Sequence, residues 1–290
     1  MNSSINLSRR SFLAGVAGVA GLAVAGGLTA CGGNDAAQGS AASDGATATL
    51  LVGASPSPHA EILNDFAAPR LAEEGITLEV KEYTDYIMPN KDTETGDVDC
   101  NYFQHINYLN NYNEENGTDL VNVGAIHFEP MAVFAGKSSD LANIADGATI
   151  AVPNDPTNEG RALKLLEEQG LITLDEDAGL EATPNDIIDN PHNLTFSEQE
   201  AAALPRTIQD VDFAVINGNY AIDADLSLDD AVAQESADSE IIKDEYANVI
   251  CTTPELEDDE RIQALVKVLT TDEFKTYLDE TFGGAVQAAF

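Results

Sequence analysis

Residues 151–166, AVPNDPTNEGRALKLL, join a short apolar strand to the start of a helix through a polar loop. Apolar and β-branched residues at 149–152 predict the strand, two prolines interrupt it, and helical spacing begins at about Glu159. A helix that begins just after a strand presents unpaired N–H groups and the positive end of its dipole to an anion. The segment therefore predicts an α/β arrangement that carries an anion-binding position.

Arg161 is the candidate anion ligand of this segment. Thr157 or Asn158 can cap the helix, and Gly170 is a natural stop, so we expect Arg161 to lie in the first helical turn. The planar guanidinium can hold a carboxylate through two parallel hydrogen bonds. An ion pair with one of the chain's own 51 acidic residues explains Arg161 equally well, and the local sequence does not decide between the two.

The N-terminal 31 residues have the pattern of a bacterial export signal. A twin-arginine start, SRRSFL at 8–13, precedes an apolar run of small residues, which ends in Leu28-Thr29-Ala30-Cys31. This ending resembles the lipoprotein processing box, so we expect cleavage before Cys31, lipidation of its thiol and an extracytoplasmic, membrane-anchored protein. An uncleaved anchor helix is the alternative. Residues 32–49 contain too little apolar surface to fold and predict a flexible tether.

The remaining body, from residue 50 onward, is long and apolar enough for a real core, with 43% hydrophobic residues in the chain. No second long apolar run predicts a membrane span. Without Arg9 and Arg10 the chain has 11 basic and 51 acidic residues, a net charge of −40. This charge excludes nucleic-acid binding, which needs clustered Lys and Arg, and electrostatic attachment to anionic lipid. Cys100 and Cys251 could pair in an oxidising exterior, although two separate buried thiols are favoured.

The body begins with a strand at 47–52, a helix at 60–74 and a strand at 77–83, an order that predicts a parallel βαβ unit. Ligands of such sheets sit beyond the carboxyl ends of the strands, where Tyr86, Phe103 and His105 are expected. They could surround an apolar side chain containing a thioether, or Tyr86 and Phe103 could be ordinary core residues.

The rest of the chain alternates in the same way. Strands are predicted at 120–123, 128–135, 211–216 and 246–252; helices are predicted at 106–115, 198–204, 259–269 and 271–280. The segment at 183–186 has the pattern of a helix start, and Pro205 is expected to end the helix before it. Asn217 follows the strand at 211–216, where it could line a cleft or form an Asn-Gly turn with Gly218.

Six segments together resemble the methionine-binding lipoproteins of ABC transporters (the MetQ/NlpA type). They are VGASPSPHAEIL, DYIMPN, NYFQH, HFEPM, AVPNDPTNEGRALKLLE and VDFAVINGNYA, and they are collinear over 50–290. PNDPTNEGRAL followed by AVINGNYA is the most specific part. The sequence departs from the family at Cys100, where a small residue is usual, and at 91–95, which is more polar than usual.

The resemblance implies an α/β, two-lobed, periplasmic-binding-protein-like fold. Each lobe would be a mixed sheet flanked by helices, with the ligand cleft between lobes. We expect lobe 1 at 50–130 plus 246–290 and lobe 2 at 131–245. In that family, an arginine binds the ligand carboxylate, asparagines bind the polar groups of the amino acid, and an aromatic pocket holds its side chain. In this sequence they are Arg161, Asn158, Asn217, Tyr86, Phe103 and His105.

The implied function is capture of methionine, with L-methionine as the expected ligand, and its delivery to a membrane permease and ATPase. The protein would be a lipid-anchored monomer without enzymatic activity, cofactor or metal. Another amino acid or a methionine dipeptide is the alternative ligand. A metal-binding lipoprotein is less favoured, because the four histidines show no HxxxH or HxH spacing. An enzyme is less favoured still, because GxSxG and HExxH are absent from the sequence.

Overall fold

The structure is a computed structural model and describes residues 48–236 and 244–290. These residues belong to one compact unit, Gly45–Phe290. The predicted signal peptide, Cys31 and all but the last two residues of the tether lie outside the described residues. Within the described ranges, no helix combines the length and the apolarity needed to cross a bilayer.

Six strands form the first sheet, in the order β13-β4-β12-β3-β1-β2. They are β1 (Ala48–Ala54), β2 (Ile76–Glu82), β3 (Cys100–His105), β4 (Val121–Phe128), β12 (Asn248–Thr252) and β13 (Gln287–Ala288). β1 lies parallel to both β2 and β3, with Val52 opposite Val80 and Cys100. β12 runs antiparallel to β3 and β4. The predicted parallel βαβ unit is therefore confirmed, within a mixed sheet.

Five strands form the second sheet, in the order β11-β5-β10-β6-β9. They are β5 (Ala132–Ala135), β6 (Thr149–Pro153), β9 (Thr195–Gln199), β10 (Phe213–Ile216) and β11 (Ala231–Gln234). β6 is parallel to β9 and β10, whereas β5 is antiparallel to β10. β7 (Thr173–Leu174) and β8 (Ile187–Asp189) form a separate two-stranded ribbon.

Helices surround both sheets. The first helical segment follows Ser57, whose backbone is extended, and includes a π-helical stretch, Ile62–Ala67, which continues into α1 (Ala68–Glu73). The others are α2 (Met88–Thr95), α3 (Ile106–Asn116), α4 (Pro156–Glu168), α5 (Leu204–Thr207), α6 (Gly218–Asp223), α7 (Glu260–Val268) and α8 (Asp272–Phe282). Each sheet has its own buried apolar cluster: Leu50, Ile62 and Phe274 belong to the first, and Ile150, Leu163 and Phe213 to the second. The two-lobed α/β fold expected from the resemblance is confirmed.

The chain passes from the first sheet to the second between Phe128 and Ala132, and returns between Gln234 and Asn248. The lobe limits predicted from the sequence, 130/131 and 245/246, fall inside these two crossing segments and remain predictions.

Several predicted elements differ from the observed ones. The strand predicted at 128–135 is interrupted, because β4 ends at Phe128 and β5 begins only at Ala132. Pro205 does not end a helix; it occupies the first turn of α5, where its missing N–H costs nothing. The helix start predicted at 183–186 is a single 3₁₀ turn, Pro184–Asp186, closed by a capping box.

Candidate functional site

A small cavity lies between the two lobes, at the carboxyl ends of β3 and β10 and at the N-terminal side of α4. The cavity volume is only about 20 Å³, so its walls are close together. Both lobes and the first crossing segment contribute to the lining, which consists of Tyr86, Phe103, Gln104, His105, Tyr108, Glu129, Asn158, Arg161, Asn217, Gly218, Asn219 and Asn248.

The start of α4 differs from the prediction. Asp155, and neither Thr157 nor Asn158, is the N-cap; its carboxylate accepts the backbone N–H of Asn158 at 3.0 Å. Pro156 fits the first helical position because its φ is preset for a helix. The helix therefore begins three residues earlier than expected, and Arg161 lies in its second turn. The anion at this helix N-terminus is the carboxylate of Asp155 itself.

Arg161 is buried, and its guanidinium is paired within the protein. Nε donates to Oε1 of Glu235 at 2.7 Å, and Nη2 donates to Oε2 at 2.6 Å. Nη2 also donates to the carbonyl oxygen of Glu129 at 2.9 Å, and the ring of Tyr246 lies 4.3 Å from Cζ. Burial alone would lower the pKa of Arg161, but the Glu235 carboxylate raises it, so the charge is retained. Nη1 donates to no group among the described residues, which leaves one edge of the guanidinium open.

The predicted polar residues form a connected hydrogen-bond network. Oδ1 of Asn158 accepts from Nδ2 of Asn217 at 2.7 Å and lies 3.1 Å from Nε2 of His105. Nδ2 of Asn158 donates to Oδ1 of Asp155 at 2.9 Å, so both the oxygen and the nitrogen of the Asn158 amide have protein partners. Oδ1 of Asn217, in contrast, is buried and has no hydrogen-bond partner. Asn217 is also the N-cap residue of α6, and not part of an Asn-Gly turn.

His105 is held as a neutral ring. Its Nδ1 accepts the backbone N–H of Tyr108 and caps α3. Burial lowers the pKa of His105 to about 3, and the nearby positive charge of Arg161 acts in the same direction. The ring therefore contributes a polar but uncharged face to the cavity.

Aromatic rings make the opposite wall. The ring centroid of Tyr86 lies 5.9 Å from Phe103, 5.8 Å from Tyr108 and 4.9 Å from Tyr220. The hydroxyl of Tyr86 donates to Oδ1 of Asn219 at 2.5 Å, which links the first lobe to the second. Burial raises the pKa of Tyr86 well above its usual value, so the hydroxyl stays protonated. A neutral aromatic wall of this kind suits an apolar or thioether side chain.

A polar cluster of His59, His127 and Glu129 lies beside the cavity. Oε1 of Glu129 is 2.7 Å from Nε2 of His127 and 3.7 Å from Nε2 of His59. Their candidate ligand atoms lie within 4.8 Å of one another, the one such group among the described residues that could hold a metal ion. Burial lowers the pKa of His59 to about 4. Sequence spacing could not reveal this cluster, because His59 comes from a segment far from His127 and Glu129 in the chain.

The structure thus brings all six sequence-predicted residues, Tyr86, Phe103, His105, Asn158, Arg161 and Asn217, to one cavity. Sequence reasoning did not assign Glu129, Tyr108 and Asn248, which also line it. For Glu129 a signal existed: an acidic residue in the apolar run from Ile126 to Val133 is unusual in a buried segment.

A cavity between two α/β lobes that are joined by two crossing segments defines a solute-binding protein. The chain matches the sequence profile of the NlpA lipoproteins over residues 50–290 and belongs to that family. The methionine-binding lipoprotein MetQ of Bacillus subtilis is 41% identical over 243 residues, which cover 82% of this chain and 86% of the relative.

Solved structures are also similar. A lipoprotein from Ruminococcus gnavus has a TM-score of 0.81 and 48% identity, and the match covers 83% of this chain and 98% of that one. A nutrient-binding protein from Burkholderia cenocepacia, solved with methionine bound, has a TM-score of 0.78 and 39% identity, and the match covers 83% of this chain and 100% of that one.

Proposed function

We propose that this protein binds methionine, with the L-enantiomer preferred, between its lobes and delivers it to an ABC importer. The observation that carries the proposal is the combination, in one interlobe cavity, of a buried arginine with an open edge and an aromatic wall. Membership of the NlpA lipoproteins and similarity to a methionine-bound neighbour support the choice of ligand.

The ligand carboxylate would bind Nη1 of Arg161, the guanidinium nitrogen that has no partner among the described residues. A charged hydrogen bond of this kind contributes about 1.5–3 kcal/mol to binding. The unpaired Oδ1 of Asn217 would accept a hydrogen bond from the ligand. This bond would remove the unfavourable free energy of burying an acceptor without a partner. Asn158 would act by holding Asn217 and His105 in position.

The thioether side chain would lie against Tyr86 and Phe103. Sulfur–aromatic contacts favour this arrangement by about 0.3–1.5 kcal/mol each. Because the cavity walls are close together, entry of a ligand requires the lobes to separate, and contacts such as Tyr86–Asn219 would break and re-form. Closure around the ligand then removes water and strengthens the polar contacts.

The N-terminal signal and the family support a proposal for the lipid anchor, the cellular site and the partners. Lipidated Cys31 would hold a monomer on the extracytoplasmic face of the membrane, and residues 32–49 would give the binding unit reach toward a permease with its ATPase. The sequence contains no GxxxxGK[ST] phosphate loop, so the partner ATPase would supply the energy of transport.

Native mass spectrometry of a soluble chain that begins at Gly32 tests the ligand. Residues Gly45–Phe290 form a compact unit by themselves, so this chain retains the binding body. We expect a bound mass equal to methionine, lost on denaturation, or saturable binding of added L-methionine. A different bound amino acid or a dipeptide would change the substrate assignment. A protein that is empty and gives no thermal shift with L-methionine would refute the methionine proposal.

A further inference from the structure

Glu129 and Arg161 are the two charged side chains that line the cavity. The remaining lining residues are aromatic rings, amides, a glycine and His105, whose low pKa leaves it neutral. An amino acid is a zwitterion with a carboxylate and an ammonium group on the same carbon. A cavity with one cation and one anion in its lining matches that charge pattern.

The Glu129 carboxylate has no Lys or Arg partner within the described residues. Arg161 contacts its backbone carbonyl, while the guanidinium's carboxylate partner is Glu235. The donor to Oε1 is the imidazole of His127 at 2.7 Å, and Oε2 accepts no hydrogen bond from any described group. A buried carboxylate is costly unless a cation or several donors compensate it, so this oxygen is suited to a cationic ligand.

A second unpaired acceptor belongs to the same cavity lining as Glu129. Oδ1 of Asn217 is buried without a partner, and Asn217 precedes Gly218, whose backbone packs directly on Glu129. A Cβ at Gly218 would come within 2.4 Å of Cβ of Glu129, so only glycine allows this approach without a shift. An ammonium group has three donors and needs several acceptors in such an arrangement.

We propose that Glu129 binds the α-ammonium group of the ligand and makes the site selective for free amino acids over their 2-oxo and N-acyl counterparts. The inference rests on the proposed function. The carboxylate-binding arginine and the ammonium-binding glutamate would each hold one of the two charged groups on the ligand's α-carbon. His127 and His59 hold the glutamate in place, and the aromatic wall contacts the side chain of the ligand.

The test is calorimetric titration of the wild type and Glu129→Gln with L-methionine and with its 2-oxo acid. Glutamine keeps the shape and an acceptor for His127 but removes the charge. We expect the wild type to prefer L-methionine by at least ~10-fold, on the scale of one charged hydrogen bond, and Glu129→Gln to lose most of that preference. The 2-oxo acid should bind the variant as well as it binds the wild type, or better.

Two further variants keep the test decisive. Glu159→Gln is the matched control, because Glu159 is as buried as Glu129, at 6% exposure, but lies outside the cavity lining. It should keep the wild-type preference. Glu129→Asp retains the charge and should retain a preference for the ammonium form, even if Glu129→Gln folds poorly.

Equal loss of affinity for both ligands in Glu129→Gln, or an unchanged preference, would overturn the role of Glu129 and leave methionine binding intact. Failure of the wild type to bind L-methionine would instead refute the proposed function, and this inference with it.

Discussion

Arg161 and Glu235 form a buried ion pair with two parallel hydrogen bonds, Nε–Oε1 at 2.7 Å and Nη2–Oε2 at 2.6 Å. The same carboxylate accepts the backbone N–H of Met131 at 2.7 Å. Met131 belongs to the first crossing segment, and Glu235 lies at the start of the second. The arginine that we assign to the ligand is therefore fixed, through one glutamate, to both segments that connect the lobes.

This arrangement predicts strong coupling between the two side chains. Glu235→Met leaves a buried guanidinium without its counter-charge, and Arg161→Met leaves a buried carboxylate; each change should lower the free energy of unfolding by about 3–5 kcal/mol. In the double variant Arg161→Met/Glu235→Met no uncompensated charge remains, so we expect a loss smaller than the sum of the single losses.

Urea unfolding of the four proteins in this cycle measures the coupling directly. The surface pair Arg70–Glu273, in which Glu273 is 69% exposed, provides the comparison cycle and should show little coupling, about 0–1 kcal/mol. Strict additivity at Arg161 and Glu235 would contradict a compensated buried pair.

Ligand binding should depend on Arg161 and Asn217 separately. Arg161→Ala removes the proposed carboxylate ligand, and Asn217→Ala removes the unpaired acceptor and the donor to Asn158. Each variant should bind L-methionine at least ~10-fold more weakly, since about 1.4 kcal/mol corresponds to one decade. Titration calorimetry on folded protein is the measurement, with Arg70→Ala as the control that should bind like the wild type. Unchanged affinity in both site variants would remove these residues from the site.

Much of the fold followed from local pattern. Apolar alternation and glycine stops located β1, β2, α3 and α4, because burial periodicity and the left-handed C-terminal glycines, such as Gly75 and Gly170, are local properties. The cap of α4 was wrong because Asp155, Thr157 and Asn158 can all cap, and the choice is made by Pro156 at the first helical position.

The site was only partly predictable for a different reason. Arg161 lines the cavity, as the sequence predicted. Its partner Glu235 is 74 residues away, and the two meet only because the chain returns from the second lobe at that point. Glu129 lies within the strand that the sequence predicted at 128–135, so the prediction did not place it at a strand end, although β4 in fact ends at Phe128. Pairings at such sequence distances are set by tertiary packing, which local periodicity does not encode.

The two cysteines of the body should behave as inert thiols. Cys100 and Cys251 are both free and fully buried, and burial raises the pKa of each thiol well above its usual value. In the soluble chain that begins at Gly32, a thiol reagent such as DTNB should react with neither group in native protein, and with both after unfolding without reductant. Absence of reactive thiol after unfolding would indicate a disulfide, whereas immediate native reaction would contradict their burial.

Acid should destabilise the protein through its buried histidines. Burial lowers the pKa of His59 to about 4 in the folded state, against the charge of Glu129, which acts to raise it. The ordinary value of 6.5 applies to the unfolded chain. Well above pH 6.5 His59 is neutral in both states and its contribution to stability is fully present. As the pH falls from 6.5 toward 4, the unfolded chain binds a proton that the folded protein does not, so stability is lost across that window.

His59 alone should therefore lower the free energy of unfolding by about 2 kcal/mol between pH 7 and pH 5, since one pKa unit corresponds to about 1.4 kcal/mol. The pKa of His105 is also lowered by burial, so His105 contributes in the same direction. Urea unfolding of the wild type and His59→Gln at both pH values measures the effect. Glutamine cannot bind this proton in either state. The free energy of unfolding should therefore fall less on acidification in the variant than in the wild type, and the difference should equal the contribution of His59. The same loss in both proteins would show that His59 is not held neutral in the folded state.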